Sequence, residues 1–165
     1  MSQLNEGFTF NAIASPEVRR AFYGTPAKES LKAGSKLYKW TEYPLSGSHG
    51  ITPWWTLVNP LTLADGTVIP GLQNLHEWGA RLGVHERDYA RVRSAVTKQW
   101  NNMRRPLFLE LIQSVCAWIG KASGQLEDEN EPNVFLIGGN YQVWLPNLTM
   151  RYVKQVSALP YLQPR

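Results

Sequence analysis

The chain has 165 residues, 43% hydrophobic and 18% charged, a balance that excludes a disordered chain and suits a single domain over residues 1–165 with a substantial core. Its net charge of +4 and pI near 9.3 fit an acidic partner or nucleic acid, and fit an ordinary soluble protein equally well. Met1-Ser2-Gln3-Leu4-Asn5-Glu6 has neither a basic nor an apolar leader region, and no apolar run is long enough to cross a bilayer, so a cytoplasmic protein away from membranes is expected.

In chain order, Ser15-Pro16-Glu17 is an N-cap followed by proline at the first helical position, which predicts a short helix through Tyr23, ended by Gly24-Thr25-Pro26. Ser35 to Tyr43, rich in Tyr, Trp and Thr, reads as a strand closed by Pro44, and Trp54 to Val58 as a second. Asp65-Gly66 between Thr62-Leu63-Ala64 and Thr67-Val68-Ile69 predicts a hairpin with a type I′ turn. From Gly71 to Gly124 the pattern is helical, interrupted at Gly83 and Pro106. Between His85 and Arg105, at ~100° per residue, Tyr89, Val92, Val96, Trp100 and Met103 share one face, with Arg87, Arg91, Lys98 and Arg105 opposite.

Leu107, Phe108, Leu111, Ile112, Val115, Trp118 and Ile119 are apolar around so much of a helical circumference that this segment is expected to be the central core helix. Cys116, the single cysteine, lies inside it, so a disulfide within the chain is excluded and a buried packing thiol is predicted. Glu127 to Pro132 is then an acidic loop, Val134 to Ile137 pairs with Tyr141 to Leu145 around Gly138-Gly139-Asn140, and a last strand covers Arg151 to Ala158. The expected fold class is α+β: a small, mostly antiparallel sheet packed against a central helical segment.

Phosphate-binding glycine loops, zinc-protease motifs and the hydrolase nucleophile elbow do not occur. His49, His76 and His85 lack metal-ligand spacing and no cysteine pair exists, so no metal is expected. What stands out is three aromatic and polar clusters beside Gly or Pro: Tyr38-Lys39-Trp40, Thr52-Pro53-Trp54-Trp55, and Tyr141-Gln142-Val143-Trp144. Such clusters suit a cleft that stacks a flat or sugar-bearing ligand, and suit core packing too. In a strand, Tyr38 and Trp40 fall on one side and Lys39 on the other, and Trp54 and Trp55 point to opposite faces.

Leu31-Lys32-Ala33-Gly34-Ser35-Lys36-Leu37-Tyr38-Lys39-Trp40 resembles the opening strand of ADP-ribosyltransferase-like domains, in which a leucine, a glycine and a Leu-Tyr pair precede a basic residue. The resemblance extends to Thr52–Trp55 as a following strand and to Gln142 in a late strand. It implies NAD as cofactor and a transferase that expels nicotinamide through an oxocarbenium-like state. Lys39 would hold the dinucleotide, and Gln142 would stand at the place of the glutamate that stabilises the cationic ribose. Tyr38, Trp40, Thr52, Trp54, Trp55 and Tyr141 are the implied ligand-binding residues. Lys39 replaces the family's Arg or His, Gln142 carries no negative charge, and the interval from Lys39 to Thr52 is short, so the implied protein is an active or a degenerate relative.

Three readings follow. An enzyme acting on a nucleotide or other small molecule, with a protein as a further target, requires Tyr38, Lys39, Trp54 and Gln142 to converge in one pocket. A non-enzymatic protein-interaction module requires a flat exposed aromatic patch. Nucleic-acid binding, the weakest of the three, would use Arg87, Arg91, Lys98 and Arg105, though Glu86 and Asp88 interleave with them as on any solvated helix face.

Overall fold

A computed structural model describes residues 2–45, 50–83, 103, 105–128, 130–136 and 138–157. Two short helices come first, α1 (Phe10–Ile13) and α2 (Pro16–Ala21). Ser15 caps α2 as its sequence signature predicts: the hydroxyl accepts from the Val18 N–H at 3.2 Å. Strands β1 (Ala27–Leu31), β2 (Lys36–Thr41), β3 (Trp54–Leu57), β4 (Leu61–Thr62) and β5 (Val68–Ile69) precede α3 (Leu72–Leu82). Then come β6 (Arg105–Leu111), β7 (Val115–Lys121), β8 (Gln125–Asp128), β9 (Glu131–Leu136), β10 (Tyr141–Trp144) and β11 (Val153–Val156).

Seven of these strands form one sheet in the order β1-β7-β10-β3-β2-β6-β11, antiparallel at every pairing. Its connections require it to curl. In a flat sheet β7 and β6, second and sixth in that order, would lie ~19 Å apart. The link from Leu111 to Val115 reaches only ~14 Å when fully extended. The similarly short link from Leu31 to Lys36 joins β1 to β2, first and fifth in the order, so the sheet bends back on itself at these two turns. Gly34 N–H to Leu111 O at 2.7 Å and Leu111 N–H to Ser35 O at 2.8 Å hold the bend.

Inside the curl lies the main core: Leu31, Leu37, Trp55, Leu57, Leu107, Leu109, Leu111, Val115, Ala117, Ile119, Val143 and Val153, with no helical residue among its described members. The β4–β5 hairpin closes it with Leu63 and Ile69. This hairpin forms where Asp65-Gly66 predicts one, but its turn is not type I′. Only Gly66 has positive φ, at 87°, and Leu63 N–H bonds to Thr67 O, giving a three-residue loop with glycine in the left-handed place. At the outer face, Phe10, Ala14 and Phe22 from the α1–α2 segment cover Trp118, Trp144 and Trp54, with ring centroids 5.4–5.7 Å apart for Phe10–Trp144 and Phe22–Trp54. Leu72 at the start of α3 and Val58 cover Tyr38 and Phe108, which stack at 5.4 Å.

The expected α+β class is therefore corrected: among the described residues a seven-stranded antiparallel sheet with a few short helices stands in place of a small sheet on a central helical segment. The segment Leu107–Ile119 is two strands, β6 and β7, with Gln113-Ser114 in the turn between them. Both faces of these strands are buried, odd residues in the main core and Phe108 and Trp118 beneath the outer layer. Two-sided burial fills both parities, erases the alternation of a half-exposed strand, and imitates a buried helix. The pairing expected between Val134–Ile137 and Tyr141–Leu145 is corrected too. β9 pairs with β8 and turns at the acidic stretch, Asp128 opposite Glu131, while β10 lies between β7 and β3. The expected helix from His85 to Arg105 lies outside the described residues apart from Met103, buried with φ 55°, and Arg105, exposed at the start of β6.

Candidate functional site

Strand alternation decides where each candidate residue goes. On β2, Leu37 belongs to the main core while Tyr38 and Trp40 belong to the outer cluster with Phe108. Lys39 shares the inner side with Leu37. Its amine donates to Thr52 O at 3.1 Å, donates also to Thr52 Oγ1, and sits 3.9 Å from the centroid of the Trp55 ring. Trp55 donates its indole N–H to the same Thr52 carbonyl at 2.9 Å. Lys39, Thr52 and Trp55 thus meet as one unit, pinning the segment before β3 to β2.

Among the described residues, this unit lies in a narrow crevice completed by Tyr43, Pro44, Leu45, Ile51 and Leu107. Lys39 keeps some surface exposed, but its amine is enclosed by protein, and burial pulls its pKa from 10.5 down to about 7. The ammonium form faces a carbonyl, a hydroxyl and an indole ring, each of which partly replaces lost water. Chemically, the arrangement can hold a proton and anchor a loop.

Gln142 lies on the other side of the sheet. On β10, Val143 enters the main core, whereas Gln142 and Trp144 face outward under the helical segment. Gln142 is 9% exposed and donates Nε2–H to the carbonyl of Ala21 at 2.9 Å, tying β10 to the end of α2. Trp54 is in this outer layer as well, packed on Phe22. Tyr141 packs at the edge of the inner core, with the Lys121 amine 5.6 Å from its ring centroid. Tyr38, Trp54 and Gln142 therefore face outward, in two separate clusters, and Lys39 faces inward. Of the predicted basic stripe, Arg87, Arg91 and Lys98 lie outside the described residues, and Arg105 is exposed.

Two features escape sequence reasoning. Asn5 is buried with φ 65°; its amide donates to Cys116 O at 3.1 Å and Pro146 O at 2.8 Å and accepts from Asn147 Nδ2 at 2.9 Å. Only long-range partners give it meaning, so no local signal announces it. The second is the bend of the sheet, where Ile112 and Met150 are each 47% exposed. The polar Gln113-Ser114 pair inside an apolar run is the signal that could have placed Ile112 on a turn. Cys116 is buried in β7, as expected of a packing thiol, and burial pushes its pKa up. Among the described residues, no three His, Cys, Asp or Glu side chains are grouped to hold a metal, and no helix is long and apolar enough to cross a membrane.

No family model and no curated protein matches the chain. Among solved structures, a chain of the complex described as "Rhs1-CT in complex with cognate immunity protein RhsI1" is similar at 16% identity and a TM-score of 0.49, covering 79% of this chain and 76% of that one. No functional inference rests on a likeness of that size.

Proposed function

We propose that this chain is a protein-interaction module that works through its surface. The observation that carries the reading is the use already made of the reactive side chains: Lys39 is held by Thr52 and Trp55 in a narrow crevice, and Gln142 by Ala21 on the opposite face. Large apolar side chains, by contrast, stand on exposed turns, among them Tyr23 at 79%, Ile112 and Met150. Tyr23 stands apart beside Lys121, whereas Ile112 and Met150 lie on adjoining turns, and an apolar pair exposed together suits association with another protein. An ADP-ribosyltransferase-like enzyme would need Lys39 and Gln142 against one NAD molecule, and the sheet stands between them.

The test compares two ligand classes. Thermal unfolding with NAD, other nucleotides and sugars is expected to show no shift, because a ligand that binds the folded state raises the melting temperature by mass action. Cross-linking in the native host, followed by reconstitution from two purified components, is expected to give a defined heteromeric complex. Saturable NAD stabilisation, or nicotinamide release from NAD by the purified chain, would overturn the reading.

A further inference from the structure

The bend of the sheet brings three turns together. Ala33 N–H donates to Ser114 Oγ at 3.3 Å, joining turn 32–35 to turn 112–114. Ile112 N–H donates to Tyr152 O at 2.8 Å and Gln113 Nε2 to Arg151 O at 3.3 Å, joining the latter to turn 149–152. Each turn is thus fixed by its neighbours and by the sheet below, so the surface is formed before any partner arrives.

At this corner the large exposed apolar groups among the described residues are Ile112 and Met150, and the charges around them are predominantly positive. Lys32 and Arg151 are exposed on the turns themselves. The first row of the adjoining strands is Lys36–Glu110–Lys154, in register across β2, β6 and β11. Glu110 is the one carboxylate among residues 32–36, 110–114 and 149–154, and it is neutralised by Lys154 at 2.8 Å. The Lys154 contact first, and Lys36 after it, hold its pKa below the usual carboxylate range. Four cations against one paired carboxylate leave a positive rim around an apolar centre.

We propose that this corner docks an acidic protein surface that offers an apolar side chain to Ile112 and Met150 within a ring of carboxylates facing Lys32, Lys36, Arg151 and Lys154. Carboxylates match the rim charge, and steering by unlike charge raises the rate of encounter. A protein suits the site better than nucleic acid because Ile112 and Met150 gain nothing from phosphates, and the aromatic ring here, Tyr152, is half-buried, with the Arg151 guanidinium 5.9 Å from its centroid. The proposal rests on the interaction-module reading and names the surface and the partner's chemistry.

The probe is a fluorescein-labelled peptide with Glu and Asp flanking a Leu-Phe-Leu centre, followed by anisotropy. Binding is expected to weaken about tenfold or more with added salt. It is expected to weaken by a similar factor in Lys32→Glu/Arg151→Glu and, separately, in Ile112→Asp, with circular dichroism confirming the fold of each. Lys121→Glu, away from the corner, is expected to bind as the parent does, and a peptide with Asn and Gln in place of the acids is expected not to bind. Absent binding, binding indifferent to the corner variants, or tighter binding of labelled single-stranded DNA at the same residues would overturn the proposal. If a reconstituted protein complex tolerates Lys32→Glu/Arg151→Glu, the corner is refuted while the interaction reading stands. NAD binding refutes the interaction reading itself.

Discussion

Lys39→Met isolates the cost of enclosing an amine beside Trp55. Methionine preserves an unbranched, mostly apolar stem in the crevice while removing the charge. Lowering the lysine pKa from 10.5 to about 7 corresponds to ~5 kcal/mol held against folding when the amine is protonated in both states. Against this, the substitution forfeits the bond to Thr52 Oγ1 and the ring contact with Trp55, while Thr52 O keeps its bond from the Trp55 indole at 2.9 Å. The net expectation at pH 6 is a variant about 2–3 kcal/mol more stable than the parent.

The pH dependence gives the sign a second check. Between pH 7 and pH 10.5 the unfolded chain binds the Lys39 proton and the folded chain has largely released it, so parental stability rises with pH across that window, by at most ~1.4 kcal/mol per pH unit. Lys39→Met lacks that slope, and its advantage should fade toward pH 10. Urea denaturation of both proteins at pH 6, 8 and 10 measures it. A variant less stable at pH 6, with a gap that does not change with pH, would refute the reasoning and show that Thr52 and Trp55 outweigh desolvation.

Other consequences follow from the same packing. Gln142→Glu, which restores the glutamate of ADP-ribosyltransferase-like domains, sets a buried carboxylate against the Ala21 carbonyl; it should lower stability by about 2–4 kcal/mol in urea without producing nicotinamide release. Asn5→Ala strands Cys116 O and Pro146 O and places alanine at φ 65°, so a loss of about 2–4 kcal/mol is expected, with Asn5→Gly recovering only the backbone share. Gly71→Ala would set a Cβ 2.4 Å from Val58 O, and the backbone shift that relieves it should cost about 1–3 kcal/mol, read as a lower melting temperature. Cys116 is expected to react with a thiol reagent only on unfolding, whereas rapid modification of the folded protein would contradict its enclosure in β7.

Local chemistry made several elements legible. Ser15-Pro16 marks α2, β-branched and aromatic residues mark β2 and β3, and Gly66 marks the β4–β5 hairpin because each acts on its own neighbours. Pairing partners were not legible, since the insertion of β10 between β7 and β3 is decided by contacts distant in sequence. The helix expected at Leu107–Ile119 fails for a physical reason: a strand covered on both faces carries no alternation to read. For the candidate site, the period of two already separates Tyr38 from Lys39 and Trp54 from Trp55, so that part of the answer was present in the residues. The contact of Lys39 with Trp55 and the tie of Gln142 to Ala21 depend on sheet order, which composition and spacing do not encode.

The most direct test follows the Trp indole N–H and the Ile and Met methyl signals by two-dimensional NMR as NAD, and then the acidic Leu-Phe-Leu peptide, is added to the purified protein. The account predicts that NAD leaves the spectrum unchanged and that the peptide moves the Ile112 and Met150 methyls while the Trp55 indole stays in place. Saturable movement of the Trp55 indole with NAD, with the Ile112 and Met150 methyls unmoved by the peptide, would contradict it.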